Sequence, residues 1–186
     1  MIPVLIVVGV ILLLPFVWAI VIYNRLVAAR LHRSNAWSDV DVQLKRRYDL
    51  VPRLVETVKG YAAHERDLLV AVVELRNRAE SNHQAPSHQS ADEQALGREL
   101  HHLVARCESY PELKADERFR DLQEELVLTE DRIAAARRFF NANVRELNQL
   151  CVSFPTSLIA RIGGFEPEGY FESDPDAENV PEVRGS

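Results

Sequence analysis

The stretch VQLKRRYDLVPRLVE, residues 42–56, decides how this chain folds. It sets three consecutive cations, Lys45, Arg46 and Arg47, ahead of Pro52 inside a run whose apolar residues otherwise keep a helical period. Proline has no N–H and its ring crowds the preceding turn, so the helix either breaks at Pro52 or bends there. Asp49 is a candidate N-cap for a new helix with the proline in its first turn, which favours a break. No glycine stands nearby to cap the end of the earlier helix, which favours a bend. Length decides between them. An unbroken rod from Arg25 to Arg78 would run about 80 Å, and the later helices could not cover its apolar stripe. The expectation is therefore a tight hairpin at Pro52.

Working outward toward the N-terminus, no charged side chain occurs between Ile2 and Tyr23. A run of that length crosses a hydrocarbon core of roughly 30 Å at about 1.5 Å per residue, so it reads as a transmembrane helix rather than a signal peptide with a cationic start and a short apolar core. Pro15 offers a bend, and Trp18 and Tyr23 suit the interface. Arg25, Arg30 and Arg33 follow the span directly, which sets the N-terminus outside and the bulk of the chain in the cytoplasm, at the plasma (inner) membrane.

Beyond the span the apolar residues step by three and four through Leu26, Trp37, Val40, Leu44 and Tyr48, then Val51, Leu54, Val58, Tyr61, Leu68, Val72 and Leu75. The polar stretch ESNHQAPSHQSAD, residues 80–92, has no such period and reads as a loop. Leu96, Leu100, Leu103, Val104 and Cys107 then mark a shorter helix. Phe119, Leu122, Leu126, Thr129, Ile133, Ala136, Phe140, Val144, Leu147 and Cys151 mark a long one with a bundle-type seam. The fold expected is all-α: an N-terminal transmembrane helix (residues 1–24), then an antiparallel four-helix up-and-down bundle (25–152) with helices near 25–49, 51–79, 91–109 and 111–152. Residues 153–186 form a C-terminal segment whose acidic, proline-containing end from Ser173 is expected to be disordered.

Composition narrows the function. With 28 acidic against 22 basic residues and a formal charge of −6, the chain lacks the cationic surplus of a general nucleic-acid binder. Cys107 and Cys151 are widely spaced, form no metal-ligand pattern, and read as buried apolar groups in a reducing compartment. Phosphate-loop and nucleophile-elbow signatures are absent from the sequence, and His64-Glu65 is not followed by a second histidine, since Leu68 stands in its place.

The runs YNRLVAARLHRSNAWSDVDVQLKRRYDLVPRLVETVKGYAAHE (23–65), YPELKADERFRDLQEELVLTEDRIAAARRFFNANVRELNQ (110–149) and FPTSLIARIGGFEPEGYFE (154–172) together resemble the LemA family of bacterial membrane proteins. The resemblance covers about residues 23–172, and it is the order and spacing of the runs after an N-terminal span that make it specific. It implies an N-terminal membrane helix, a cytoplasmic helical bundle and no established enzymatic activity. Phe140 and Leu147 precede Asn141 and Asn148, where the family often shows Tyr-Asn pairs.

Three candidate sites follow from the residues. Lys45, Arg46 and Arg47 read chiefly as a solvated bundle corner pairing with acids of a neighbouring helix, and otherwise as a docking patch for an acidic protein partner. Phe165, Tyr170 and Phe171 either fold back over the apolar seam or meet a partner. Glu80 with His83 and Glu99 with His102 share an ExxH spacing that sets a carboxylate and an imidazole on one helical face, as in di-metal carboxylate bundles. Glu65 sits where the seam expects an apolar group; buried, it needs a partner such as Arg137, Arg138, Tyr61 or His64, and otherwise it reaches toward the bundle edge or pairs with an arginine. The reading that best joins these features is a non-enzymatic scaffold or adaptor with no cofactor. A metal-binding bundle and a homo-oligomeric membrane assembly are the alternatives.

Overall fold

The computed structural model describes residues 2–62, 65–82 and 86–171, with side chains from residue 13 onward. Among these residues the chain is all helical and contains no strand. Six α-helices follow in order: α1 (Ile2–Lys59), α2 (Arg66–Ser81), α3 (Pro86–Cys107), α4 (Pro111–Ala115), α5 (Glu117–Val152) and α6 (Thr156–Ile162). The tail from Ser173, expected to be disordered, lies outside the described residues.

The hairpin expected at Pro52 does not form: α1 runs straight through it. Pro52 faces solvent, and the helical bond it cannot supply is the one to the carbonyl of Tyr48, four residues earlier. Arg76 of α2 replaces that donor, its Nε lying 3.2 Å from the Tyr48 oxygen. The guanidinium is held in turn by Asn77 Oδ1 and Glu80 Oε1, each at 3.1 Å. α1 ends instead at Gly60, where the N–H groups of Tyr61 and Ala62 both donate to the Val58 carbonyl at 3.0 and 2.9 Å. Lys59 sits in the last turn, at the negative end of the helix dipole.

Two other boundaries move. The polar stretch 80–92 is mostly helical, since α3 begins at Pro86 with proline in its first position and buries Gln89, Ser90 and Glu93. The helix expected over 111–152 is cut at Asp116, whose Oδ1 accepts the Phe119 N–H at 3.1 Å and so caps α5. The Tyr61 hydroxyl donates to the other oxygen at 2.8 Å. These two bonds, the phenol's first, hold the Asp116 carboxyl below its usual range.

The described chain divides into two units, to both of which α1 and α5 contribute. One consists of Asp39–Arg138 with the segment from Gly169. It is a four-helix bundle of residues 39–59, α2, α3 and residues 117–138, whose first connection follows Lys59 instead of falling at Pro52. Its interior is lined by Val40, Leu44, Val51, Leu54 and Val58 from α1, Leu69, Val72 and Ala79 from α2, Leu96, Leu100, Leu103 and Cys107 from α3, and Phe119, Leu122, Leu126 and Ile133 from α5. α2 buries Leu69 where the sequence pattern places Leu68, because α1 ends at Lys59 and α2 begins anew at Arg66 with its own helical phase.

The other unit consists of the residues up to Ser38 with Phe139–Glu168. Ile22, Leu26 and Ala29 of α1 pack with Leu147, Leu150 and Cys151 of α5, Ala160 of α6 and Phe165. Phe165 meets the Tyr23 ring edge-on at 5.8 Å and lies under the Arg30 guanidinium at 4.1 Å. Trp37 packs against Phe140 at 5.3 Å between ring centres. Asn148 clamps the backbone of Glu168 twice, accepting its N–H at 2.8 Å and donating to its carbonyl at 2.9 Å, while Arg33 pairs with the Glu168 carboxylate.

Candidate functional site

The most heavily charged feature of the bundle interior is built on Arg47. It falls in the sequence Val40, Leu44, Arg47, Val51, Leu54 and Val58, a strict alternation of four and three steps, so helical geometry turns it inward with its neighbours. Only 1% of its surface is exposed. From α3, Glu93 enters the same layer by the same logic, on the row Gln89, Glu93, Leu96, Leu100 and Leu103, and is wholly buried. Arg47 Nη2 donates to Glu93 Oε2 and the Tyr48 hydroxyl donates to Glu93 Oε1. Arg47 Nη1 reaches Glu130 of α5, 3.0 and 3.2 Å from its two oxygens.

Removing ions from water is costly unless every charge finds partners, and here one guanidinium serves two carboxylates while the phenol takes the remaining buried oxygen. Burial by itself would lower the Arg47 pKa, but the charges of Glu130 and Glu93 outweigh it and raise it. Burial also pushes the Tyr48 phenol up, with the hydrogen bond to Glu93 and the charge of Glu93 adding to the shift. Arg47 therefore stays cationic and Tyr48 protonated at neutral pH. Such a node fixes the register of three helices.

The placement of Arg47 corrects the reading of residues 45–47 as a three-cation outer corner: this side chain is withdrawn from any partner surface. Lys45 is exposed as expected, and Arg46 is half-buried with Nη2 3.0 Å from Glu125 Oε1, an acid of a neighbouring helix. Arg53 approaches the other Glu125 oxygen at 3.6 Å. Phe165 and Phe171 are buried, so they too leave the list of surface contacts, and folding back is the outcome. Phe171 lies under the Arg137 guanidinium at 4.9 Å, and Tyr170 is half-buried.

Glu65 pairs with an arginine, but its partners come from α3 and the turn beyond it and are not the expected ones: the Tyr110 hydroxyl donates to it at 3.1 Å and Arg106 Nε stands at 3.8 Å. Of the ExxH pairs, Glu99 Oε1 and His102 Nδ1 are 3.8 Å apart on an accessible face. Glu80 is engaged by Arg76, and His83 lies outside the described residues. Among the described residues no group of three or more His, Cys, Asp or Glu side chains is placed to hold a metal ion. Both cysteines are free and buried. Burial, with the charge of Glu65 second, pushes the Cys107 thiol up to about 11.

The long apolar N-terminal helix, the four-helix bundle and its buried Arg–Glu–Tyr node define a class of all-helical proteins with a candidate membrane anchor. Within that class the chain belongs to the LemA family, whose family model matches residues 36–184. The chain is also similar to the magnetosome protein MamQ of Magnetospirillum gryphiswaldense and to MamQ 2 of Paramagnetospirillum magneticum. Each is 25% identical over 178 residues, a match that takes in 82% of this chain and 65% of the relative. The chain thus spans slightly less than two thirds of the length of those relatives.

Proposed function

We propose that this LemA-family chain is a single-pass protein of the bacterial inner membrane, with its N-terminus outside and its bundle in the cytoplasm, and that it works by contact as a scaffold or adaptor without catalysis. The observation that carries the reading is the state of residues 13–23. Leu13, Leu14, Phe16, Val17, Ile20 and Val21 are large, apolar and exposed, which water would penalise and lipid would not. α1 is long and apolar enough to cross a membrane. Arg25, Arg30 and Arg33 on the C-terminal flank support the cytoplasmic placement of the bundle. The scaffold reading is supported by the Arg47, Glu93 and Tyr48 side chains, which are bound to one another inside the bundle.

Contact with an acidic protein partner falls to Lys45 and Arg46, the two cations of the 45–47 run with surface to offer. The test has two parts. A fluorescent protein fused at the C-terminus is expected to mature and a phosphatase fused there to stay inactive; the reverse pattern would overturn the orientation. Capture from solubilised membranes is then compared between the intact chain and Lys45→Glu with Arg46→Glu. Loss of a captured partner is the expected result, and an unchanged set would end the assignment of contact to this corner.

A further inference from the structure

The junction of α5 and α6 exposes apolar groups to an unusual degree. Phe154 is 82% exposed and Ile162 85%, with Val152 and Leu158 also largely exposed. Leu158 and Ile162 are spaced by four residues on α6 and share one stripe, Phe154 stands exposed in the turn ahead of it, and Ala160 on the opposite side of the helix is buried. The stripe has a defined level along α1. Ala160 packs in the cluster that contains Ile22, Leu26 and Ala29, so α6 lies beside the end of the uncharged run, within about 9 Å of Tyr23 along the helix axis. That is the depth of the headgroup layer, since the bilayer is roughly 30 Å of hydrocarbon within about 40–45 Å overall. Arg25 and Arg161, both exposed, supply positive charge at the same level.

We propose that residues 152–162 form a second membrane contact, an interfacial element that lays Phe154, Leu158 and Ile162 into the cytoplasmic leaflet, with Arg25 and Arg161 set against anionic lipid headgroups. The proposal rests on the single-span reading of α1. A lipid surface is the occupant favoured because the stripe belongs to the same unit as the exposed apolar residues 13–23, and α6 packs in the cluster that holds Ile22 at the end of that run. The flanking arginines match the negative potential of a cytoplasmic leaflet. Two contacts would hold the first turns of the soluble body against the membrane and fix its tilt.

The experiment uses the full chain reconstituted in phosphatidylcholine vesicles with and without phosphatidylglycerol. An environment-sensitive fluorophore is attached at Leu14→Cys, Leu158→Cys, Ile162→Cys or Lys45→Cys, with the parent chain and its buried thiols as the labelling control. Quenching by nitroxide lipids is compared with quenching by aqueous iodide. Lipid quenching at 14, 158 and 162, iodide quenching at 45, and stronger lipid quenching at 162 with the anionic lipid are expected. Iodide quenching at 158 and 162 while 14 stays in lipid would overturn the proposal and leave the span intact. Iodide quenching at 14 would overturn the span itself. Shielding of 162 from both quenchers, with crosslinking between chains, would give the stripe to a second copy and also overturn the proposal.

Discussion

Arg47 keeps its charge inside the bundle because Glu93, Glu130 and the Tyr48 hydroxyl are already in place around it. Glu93→Ala removes the partner of two buried groups at once and is expected to cost about 3–5 kcal/mol, read as a lowered urea midpoint. Arg47→Met combined with Glu93→Leu and Tyr48→Phe should recover most of that loss, because no fully buried ion or orphaned hydroxyl remains and the Glu130 carboxylate reaches solvent. A second residue-scale expectation concerns pH. The Cys107 thiol moves from 9.0 to about 11 on folding, so below pH 9 it is protonated in both states and stability is at its full value. As pH rises through that window the unfolded chain loses the proton first, and stability falls. Tyr48, also raised, extends the loss above pH 10. Urea midpoints measured between pH 7 and 11 should fall in this order, and Cys107→Ala should flatten the first part of the decline. Both buried acids and bases were visible in the sequence as charges on strict four-three rows. In the sequence Arg47 is masked by its place in a run of three cations, which suggests an outer corner, and Glu93 by its place next to the polar stretch 80–92, which hides the row it belongs to.

At the scale of elements, Pro52 and Arg76 form one structural device. Proline within a helix strands the carbonyl four residues back, and a side chain from the next helix answers it. Arg76→Ala is expected to destabilise the chain by about 1–3 kcal/mol while Pro52 is present, the cost of an unsatisfied buried acceptor. In a Pro52→Ala background the helix supplies its own donor, so the same change should cost much less. A double-mutant cycle by chemical denaturation measures that coupling, and additive effects would refute it. The proline rule correctly signals that a hydrogen bond is missing in α1. It does not say which of two remedies, a break or an outside donor, the fold uses. That choice depends on an arginine 24 positions away, whose approach no local pattern encodes.

At the scale of the molecule, the cluster around Ile22, Leu26 and Ala29 ties α6 and Phe165 to the N-terminal half of α1. In detergent, a chain shortened to begin at residue 21 retains that cluster and should resist trypsin at Arg161 as the full chain does. One shortened to begin at residue 31 loses all three α1 contributors and should be cut there rapidly, as followed by mass spectrometry. Equal cutting in both would mean that α6 is held by something else. The all-α class, the long apolar N-terminal helix and the family were legible in the sequence because apolar periodicity and a long uncharged run are local properties.

Periodicity, charge placement and composition were enough by themselves to specify long amphipathic helices behind an apolar span and to order them into an up-and-down bundle. Tertiary structure alone decided that α1 continues past Pro52, that Arg47, Phe165 and Phe171 belong to the interior, and that Phe154, Leu158 and Ile162 remain outside. The reason is physical: whether a charge or a ring is buried depends on free energies of desolvation and pairing set by groups from distant helices, and those meet only once the chain has folded.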